Sequence, residues 1–307
     1  MNAARYVQAA AYRASDARIA VPDGITGLGM RTRVRDRAVR RRSAAAGDWL
    51  RGALGWQAGR MVDRLFAEPD LAALYDRFCA WDRRADFDFY LPMVMAAGSV
   101  LDVGCGTGML LRRARRDGHR GRLCGLDPAA AMLDVARARP DVEWVLGDLS
   151  TISFASEFEL IIMTGHAFQV LTGDAELRTA LAAVRAALAG NGRFAFETRN
   201  PAARGWERWT AANVAEVTGP DGQVLRMVNE FETPVTGELV SFTTTVSGTG
   251  WARPQDSRST LRFLSADSLA GFLSEAGLTV EEQYGDWDGQ PLMPSSPEII
   301  TIARAGS

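Results

Sequence analysis

The chain has 307 residues, 47% hydrophobic and 23% charged, with a formal net charge of −2. That length can bury a sizeable core, and the near-neutral balance gives no general attraction to nucleic acid or to acidic membranes. All 35 basic residues are arginine, which excludes a pyridoxal Schiff base and a P-loop lysine, since a guanidinium stays protonated and is no free amine nucleophile. No apolar run reaches the roughly 18 residues of a membrane helix. Cys79, Cys105 and Cys124 show no metal-like spacing. With no signal-like N-terminus, this predicts reduced thiols and a cytoplasmic location.

In chain order, residues 1–60 are rich in Ala and Arg, with a basic run from Arg31 to Arg42. They read as a solvated, disordered extension. From residue 61 the pattern changes. Leu65, Phe66, Leu71, Leu74, Tyr75 and Phe78 recur at helical spacing, and a second apolar helix follows around Phe87–Met95. Strands at Ser99–Val103, Arg122–Leu126, Val142–Leu146, Phe158–Met163 and Gly192–Thr198 then alternate with helices at Met109–Arg116 and Ala129–Arg139 and one marked by Leu177, Leu181, Val184 and Leu188. Such alternation predicts an α/β, Rossmann-like, mostly parallel seven-stranded sheet with helices on both faces.

After Asn200 the period becomes two, over Asn213–Val217, Gln223–Glu232, Glu238–Val246 and Ser259–Leu264, with turns such as Gly219–Gly222 between. This predicts an antiparallel β insertion over 201–264, on the substrate side or used for homodimerisation through strand edges. Residues 265–307 supply a helix (Ala266–Ala276) and strands (Thr279–Tyr284, Glu298–Ala303) that complete the core sheet.

Within 61–200, the strand Val100–Val103 runs into Gly104, Gly106 and Gly108 and then a helix. Glycines there allow a sharp turn and close approach of a ligand to the backbone. The dinucleotide pattern G-x-G-x-x-G would need a glycine at 109, which is Met109. Asp102 precedes the loop, where a carboxylate disfavours pyrophosphate and suits a cation. Two further strand ends carry Asp127 and Asp148. Each acid alone is also readable as a helix cap, Asp127 before Pro128 above all.

Val100–Leu110, Leu126–Arg139 and Leu146–Leu149 resemble the cofactor motifs of class I S-adenosylmethionine-dependent methyltransferases. The resemblance implies S-adenosyl-L-methionine as cofactor and a small-molecule acceptor methylated on O or N, as in sugar and amino-acid N-methyltransferases. It places Asp102, Gly104, Cys105, Gly106 and Gly108 along the methionine part and Asp127 at the ribose. Pro128 and Met132 then lie near the adenine, Asp148 and the Leu149 backbone at the adenine edge, and Thr164 beside the donor.

The cofactor carries the activated methyl, so the protein aligns the acceptor and removes its proton where it has one. His166 and Gln169 follow the fourth strand at the crevice edge. His166 is a candidate general base or substrate hydrogen-bond partner, or a loop-shaping histidine; the other histidine, His119, follows a glycine in a loop expected to be exposed. Tyr75 is a second candidate catalytic residue, and it and Tyr90 are candidates for a tyrosine over the cofactor or for core. Arg199 is placed to meet an acidic acceptor group, and Arg262, Trp206, Trp209 and Trp287 to line the substrate side or simply to pack. No metal-binding motif, and no motif of the DNA amino- or pyrimidine C5-methyltransferases, is present. A non-catalytic S-adenosylmethionine binder and a nicotinamide-dependent oxidoreductase are the alternative readings.

Overall fold

The computed structural model describes residues 62–306, so the extension expected over 1–60 lies outside the described residues. Two N-terminal helices, α1 (Arg64–Ala67) and α2 (Pro69–Phe78), precede α3 (Ala85–Ala96). The core then runs β1 (Ser99–Val103), α4 (Met109–Arg116), β2 (Arg122–Asp127), α5 (Ala130–Ala136), β3 (Glu143–Leu146), β4 (Phe158–Met163), α6 (Asp174–Ala187) and β5 (Leu188–Arg199). Next come β6 (Val214–Thr218), β7 (Val224–Phe231), β8 (Leu239–Gly248) and β9 (Gln255–Arg262). The chain closes with α7 (Ala266–Glu275), β10 (Leu278–Tyr284) and β11 (Glu298–Ala305).

The main sheet has seven strands in the order β10-β11-β5-β4-β1-β2-β3. Strands β1 to β5 are parallel, while β11 enters antiparallel between β5 and β10. This is the mostly parallel seven-stranded architecture that the alternation predicts. Strand β1 shows how the sequence builds it: Val100 packs with α3 and α4 on one face, and Leu101 and Val103 pack with α6 and α7 on the other. Each central strand therefore reads as a continuous apolar run. Burying one such side chain contributes roughly 1.5–3 kcal/mol.

Strands β6 to β9 form a separate four-stranded antiparallel sheet. Leu225 of β7 and Val246 of β8 pack against Leu71, Leu74 and Phe78 of α2. The same helix carries Ala72 and Tyr75, which meet Ala129 and Met132 beside the glycine loop. One amphipathic segment thus lies between the insertion and the ligand edge of the core.

Two expectations are corrected. His119 is buried, 6% exposed, and its Nε2 donates to the Ala97 carbonyl at 2.8 Å, because the loop folds back under α3. The helix expected to reach Arg139 stops at Ala136, and Trp144 Nε1 donates to the Arg139 carbonyl at 2.9 Å, which holds the chain out of the helix.

Candidate active site

β1 ends in a loop that takes left-handed φ values of 74°, 56° and 70° at Gly104, Gly106 and Gly108. Side chains other than glycine rarely adopt that region. The Gly104 N–H donates to the Leu126 carbonyl at 2.8 Å, pinning the loop to the end of β2. Asp127, the last residue of β2, accepts from the Gly106 N–H at 2.7 Å on one oxygen and from the Ala129 N–H at 2.8 Å on the other. It therefore caps two backbone segments and fixes the mouth of the loop, and both oxygens keep a further lone pair. Burial pushes its pKa up, against the pull of those two N–H groups.

Asp102 contrasts with it. It is 1% exposed, and its Oδ1 has no hydrogen-bond partner among the described residues. Burial first, and the charge of Asp127 second, push its pKa up to about 7. A buried carboxyl with an unpaired acceptor at the start of the glycine loop is stabilised in its ionised form by a cation that reaches it.

The third glycine has a different use. A Cβ on Gly108 would lie 2.2 Å from the Trp144 ring, and one on Gly125 2.5 Å from it. Both glycines make room for the indole. Gly106 instead faces Met132, whose Cε lies 3.2 Å from the Cβ position. Tyr75 stands edge-on to Phe66 at 5.9 Å and packs in the cluster that holds Met132. The neighbouring Asp76 accepts from Thr107 Oγ1 at 2.5 Å and pairs with Arg112 at 3.7 Å, tying α2 to the loop.

At the end of β3, Asp148 Oδ1 accepts from the Ser150 N–H and Oγ at 2.8 and 2.6 Å and from the Thr151 N–H at 3.1 Å. Burial raises its pKa, but these donors outweigh that and hold it below the ordinary range. Its Oδ2 takes no part in them. Cys105, Leu149 and Thr164 are buried, and Pro128 is exposed beside Asp127.

A second polar group assembles where β4, β5 and β11 end. Gly165 and His166 both take left-handed φ, 65° and 64°. The His166 N–H donates to Glu197 Oε1 at 2.7 Å, while Tyr90 Oη donates to Glu197 Oε2 at 2.7 Å. Glu197 is 0% exposed, and burial, followed by the charge of Asp86, pushes its pKa up to about 8. His166 Nε2 meets Glu298 Oε2 at 2.9 Å. Burial and then Arg199 lower the imidazole pKa, and Glu298 opposes them.

Arg84 chelates Asp86 at 2.8 and 2.6 Å and lies against Gly165. Arg199 Nη1 donates to Gln169 Oε1 at 3.0 Å, and its guanidinium lies 5.2 Å from the Trp209 ring centroid.

The fold thus brings His166, Gln169 and Arg199 into one cluster. Gln169 is 1% exposed, with its amide used on Arg199 and on the Arg262 carbonyl at 2.9 Å. The Arg262 side chain turns elsewhere, to Asp174 and Glu238 at 2.8 Å each. Trp206 packs edge-on to Phe263, and Trp287 against Phe89 and Tyr90. Sequence reasoning missed Arg84, Asp86, Glu197 and Glu298. An acid inside the apolar stretch Phe194–Phe196 to Glu197 was a visible signal; Glu298, after Pro297, offered none.

Residues 100–192 match the methyltransferase domain family. A 2-phytyl-1,4-naphtoquinone methyltransferase of Thermosynechococcus vestitus is 40% identical over 101 residues, which are 28% of this chain and 44% of that enzyme. A dTDP-3-amino-3,6-dideoxy-alpha-D-glucopyranose N,N-dimethyltransferase of Streptomyces fradiae is 40% identical over 86 residues, 28% of this chain and 33% of that enzyme. The chain therefore spans less than half the length of these two relatives. Among solved structures, the sugar N-methyltransferase KedS8 of Streptoalloteichus aligns with a TM-score of 0.61 at 18% identity, covering 85% of this chain and all (100%) of KedS8. The CcbJ methyltransferase of Streptomyces caelestis gives 0.60 at 21% identity, covering 76% and 96%. Those two structures share the fold. The matched methyltransferase-domain segment coincides with β1–β5, the parallel part of the sheet.

Proposed function

We propose that the chain transfers the methyl group of S-adenosylmethionine to an oxygen or nitrogen of a small-molecule acceptor. The observation that carries this is the unpartnered Asp102 Oδ1, buried beside the left-handed glycine loop. An amino-acid ammonium supplies the missing donor, whereas a pyrophosphate would add negative charge there. The rest of the donor set fits the same ligand. Gly104–Gly106 allow close backbone approach, Asp127 has lone pairs for ribose hydroxyls, and Met132 and Tyr75 form an apolar wall for adenine. Asp148 Oδ2 and the Leu149 N–H read the adenine edge, with Pro128 and Thr164 flanking.

When bound, the cofactor supplies a methyl group on a sulfonium. The chain's part is to orient the acceptor, shield it from water and take its proton. His166 is the proton acceptor in this reading. Arg199 is half-buried, with no carboxylate at ion-pair distance among the described residues, and suits an anionic group on the acceptor. Strand β6 pairs with β7 alone, so its free edge is where a second copy would add in a homodimer; sedimentation velocity tests this. Three free cysteines fit a reducing compartment.

The main test is calorimetry with S-adenosylhomocysteine, with NAD as the contrast, followed by tritiated-methyl transfer to a panel of small amines and hydroxy compounds. S-adenosylhomocysteine binds and NAD does not; Asp102→Asn weakens binding by roughly ten- to a hundredfold, about 1.4–2.8 kcal/mol. Binding of NAD alone overturns the cofactor. Binding without transfer to any acceptor overturns catalysis.

A further inference from the structure

His166 is held by two carboxylates from two adjacent strands. Glu197 of β5 fixes its backbone N–H, and Glu298 of β11 fixes its ring. Each anchor is itself rigid. Glu197 accepts a second bond from Tyr90. Glu298 is 6% exposed, pairs in register with Arg199 and donates its backbone N–H to the Gly285 carbonyl at 3.1 Å. His166 sits at φ 64°, a left-handed conformation that residues other than glycine rarely adopt, and the pair of anchors holds it there.

The ring geometry determines where the proton lies. A carboxylate only accepts, so the bond to Glu298 requires hydrogen on Nε2. Nδ1 is then a bare lone pair. It has no partner among the described residues, and the side chain keeps 18% of its surface exposed. The charged groups around His166 are Glu298 from β11, Glu197 and Arg199 from β5, Asp86 from α3, and Arg84, which pairs with Asp86 and lies against Gly165. Of these, only Glu298 touches an imidazole nitrogen. An imidazole with one nitrogen fixed by a buried acid and the other left unpaired has the layout of an oriented general base.

We propose that Glu298 is a positioning residue: it holds His166 as the Nε2–H tautomer, so that Nδ1 takes the acceptor's proton during methyl transfer. This rests on the methyltransferase reading above. In the step, the acceptor's N or O lone pair forms the bond to the methyl carbon. The carbon–sulfur bond breaks with its electron pair left on sulfur, and the acceptor's proton passes to Nδ1 and then to water.

The chain's two histidines make the test direct. Full-length protein labelled with 15N-histidine is titrated by NMR, with His119→Asn assigning the pair. His166 shows a protonated Nε2 and a bare Nδ1. In Glu298→Gln its titration midpoint moves down and an Nδ1–H population emerges; Glu298→Asp restores the original signature. On the amine and hydroxy panel, Glu298→Gln loses about a hundredfold in kcat, its acidic limb moves, and KM for S-adenosylmethionine is unchanged. A wild-type His166 protonated on Nδ1 overturns the proposal, as does a tautomer and midpoint indifferent to Glu298→Gln. Should Glu298→Gln fail to fold, the wild-type signature and Glu298→Asp decide. Calorimetry with S-adenosylhomocysteine on the same samples reports the cofactor reading separately, since it involves neither Nδ1 nor Glu298.

Discussion

At the β1–β2–β3 ends of the sheet, the polar groups come from neighbouring strand ends, and the bond from Gly106 to Asp127 spans 21 residues. On the β4–β5–β11 side, Glu197 reaches Tyr90 across 107 residues, and His166 reaches Glu298 across 132. The first side is assembled locally and leaves an acceptor unfilled at Asp102. The second is assembled from distant segments and largely satisfies itself. A fixed nucleoside and amino acid suit the first arrangement. In the function proposed above the acceptor lies on the second side, which is built from chain segments other than the glycine loop.

The sharpest way to break this comparison is to strike the locally built side. Gly108 combines φ 70° with a Cβ position 2.2 Å from Trp144. Gly108→Ala therefore adds left-handed strain and overpacking, together about 3 kcal/mol of stability in urea unfolding. In a Trp144→Ala background the steric part vanishes and only about 1–2 kcal/mol of strain remains. Equal losses in both backgrounds would mean that the indole does not dictate this glycine.

Proton linkage gives the next largest effect and separates the two sides by pH. With a folded pKa of about 7, Asp102 favours the folded state fully below its ordinary range near 3.8, and that contribution is lost as pH rises through 7. A cationic ligand favours the ionised form. Affinity for S-adenosylmethionine should climb from pH 5.5 to 7 by up to roughly tenfold per pH unit, and binding should release a proton in that window. Calorimetry in buffers of different ionisation heat measures both, and Asp102→Asn should flatten both. Glu197, pushed up to about 8 on the other side, should leave this profile untouched.

How much of this was legible in the sequence follows the same division. The glycines, Asp102 and Asp127 lie within one strand–loop–helix–strand segment, and backbone periodicity suffices to bring them together. The seven-stranded sheet and the antiparallel insertion were also readable, because apolar runs and alternation set them residue by residue. The register that places Glu298 opposite Arg199 was not, since it depends on β11 pairing antiparallel with β5 over a long separation. The role of Gly108 was hidden for the same reason: its constraint is a ring on β3. Nor were the partners of Arg262 legible, since Glu238 and Asp174, which hold its side chain, sit just before β8 and on α6.

Gln169 supplies the smallest expected effect and the finest test of the second side. Its carbonyl receives Arg199 and its amide N–H donates to the Arg262 backbone, so it joins β5 to β9 from a site with 1% exposure. Gln169→Ala leaves the half-buried Arg199 guanidinium and the Arg262 carbonyl without these bonds, which costs about 1–2 kcal/mol. If the two sides are as separate as their construction implies, affinity for S-adenosylhomocysteine stays at the wild-type value while stability falls. A matching loss of cofactor affinity would show instead that the β4–β5–β11 cluster also supports the glycine loop, through the contact between Gly104 and Ala167.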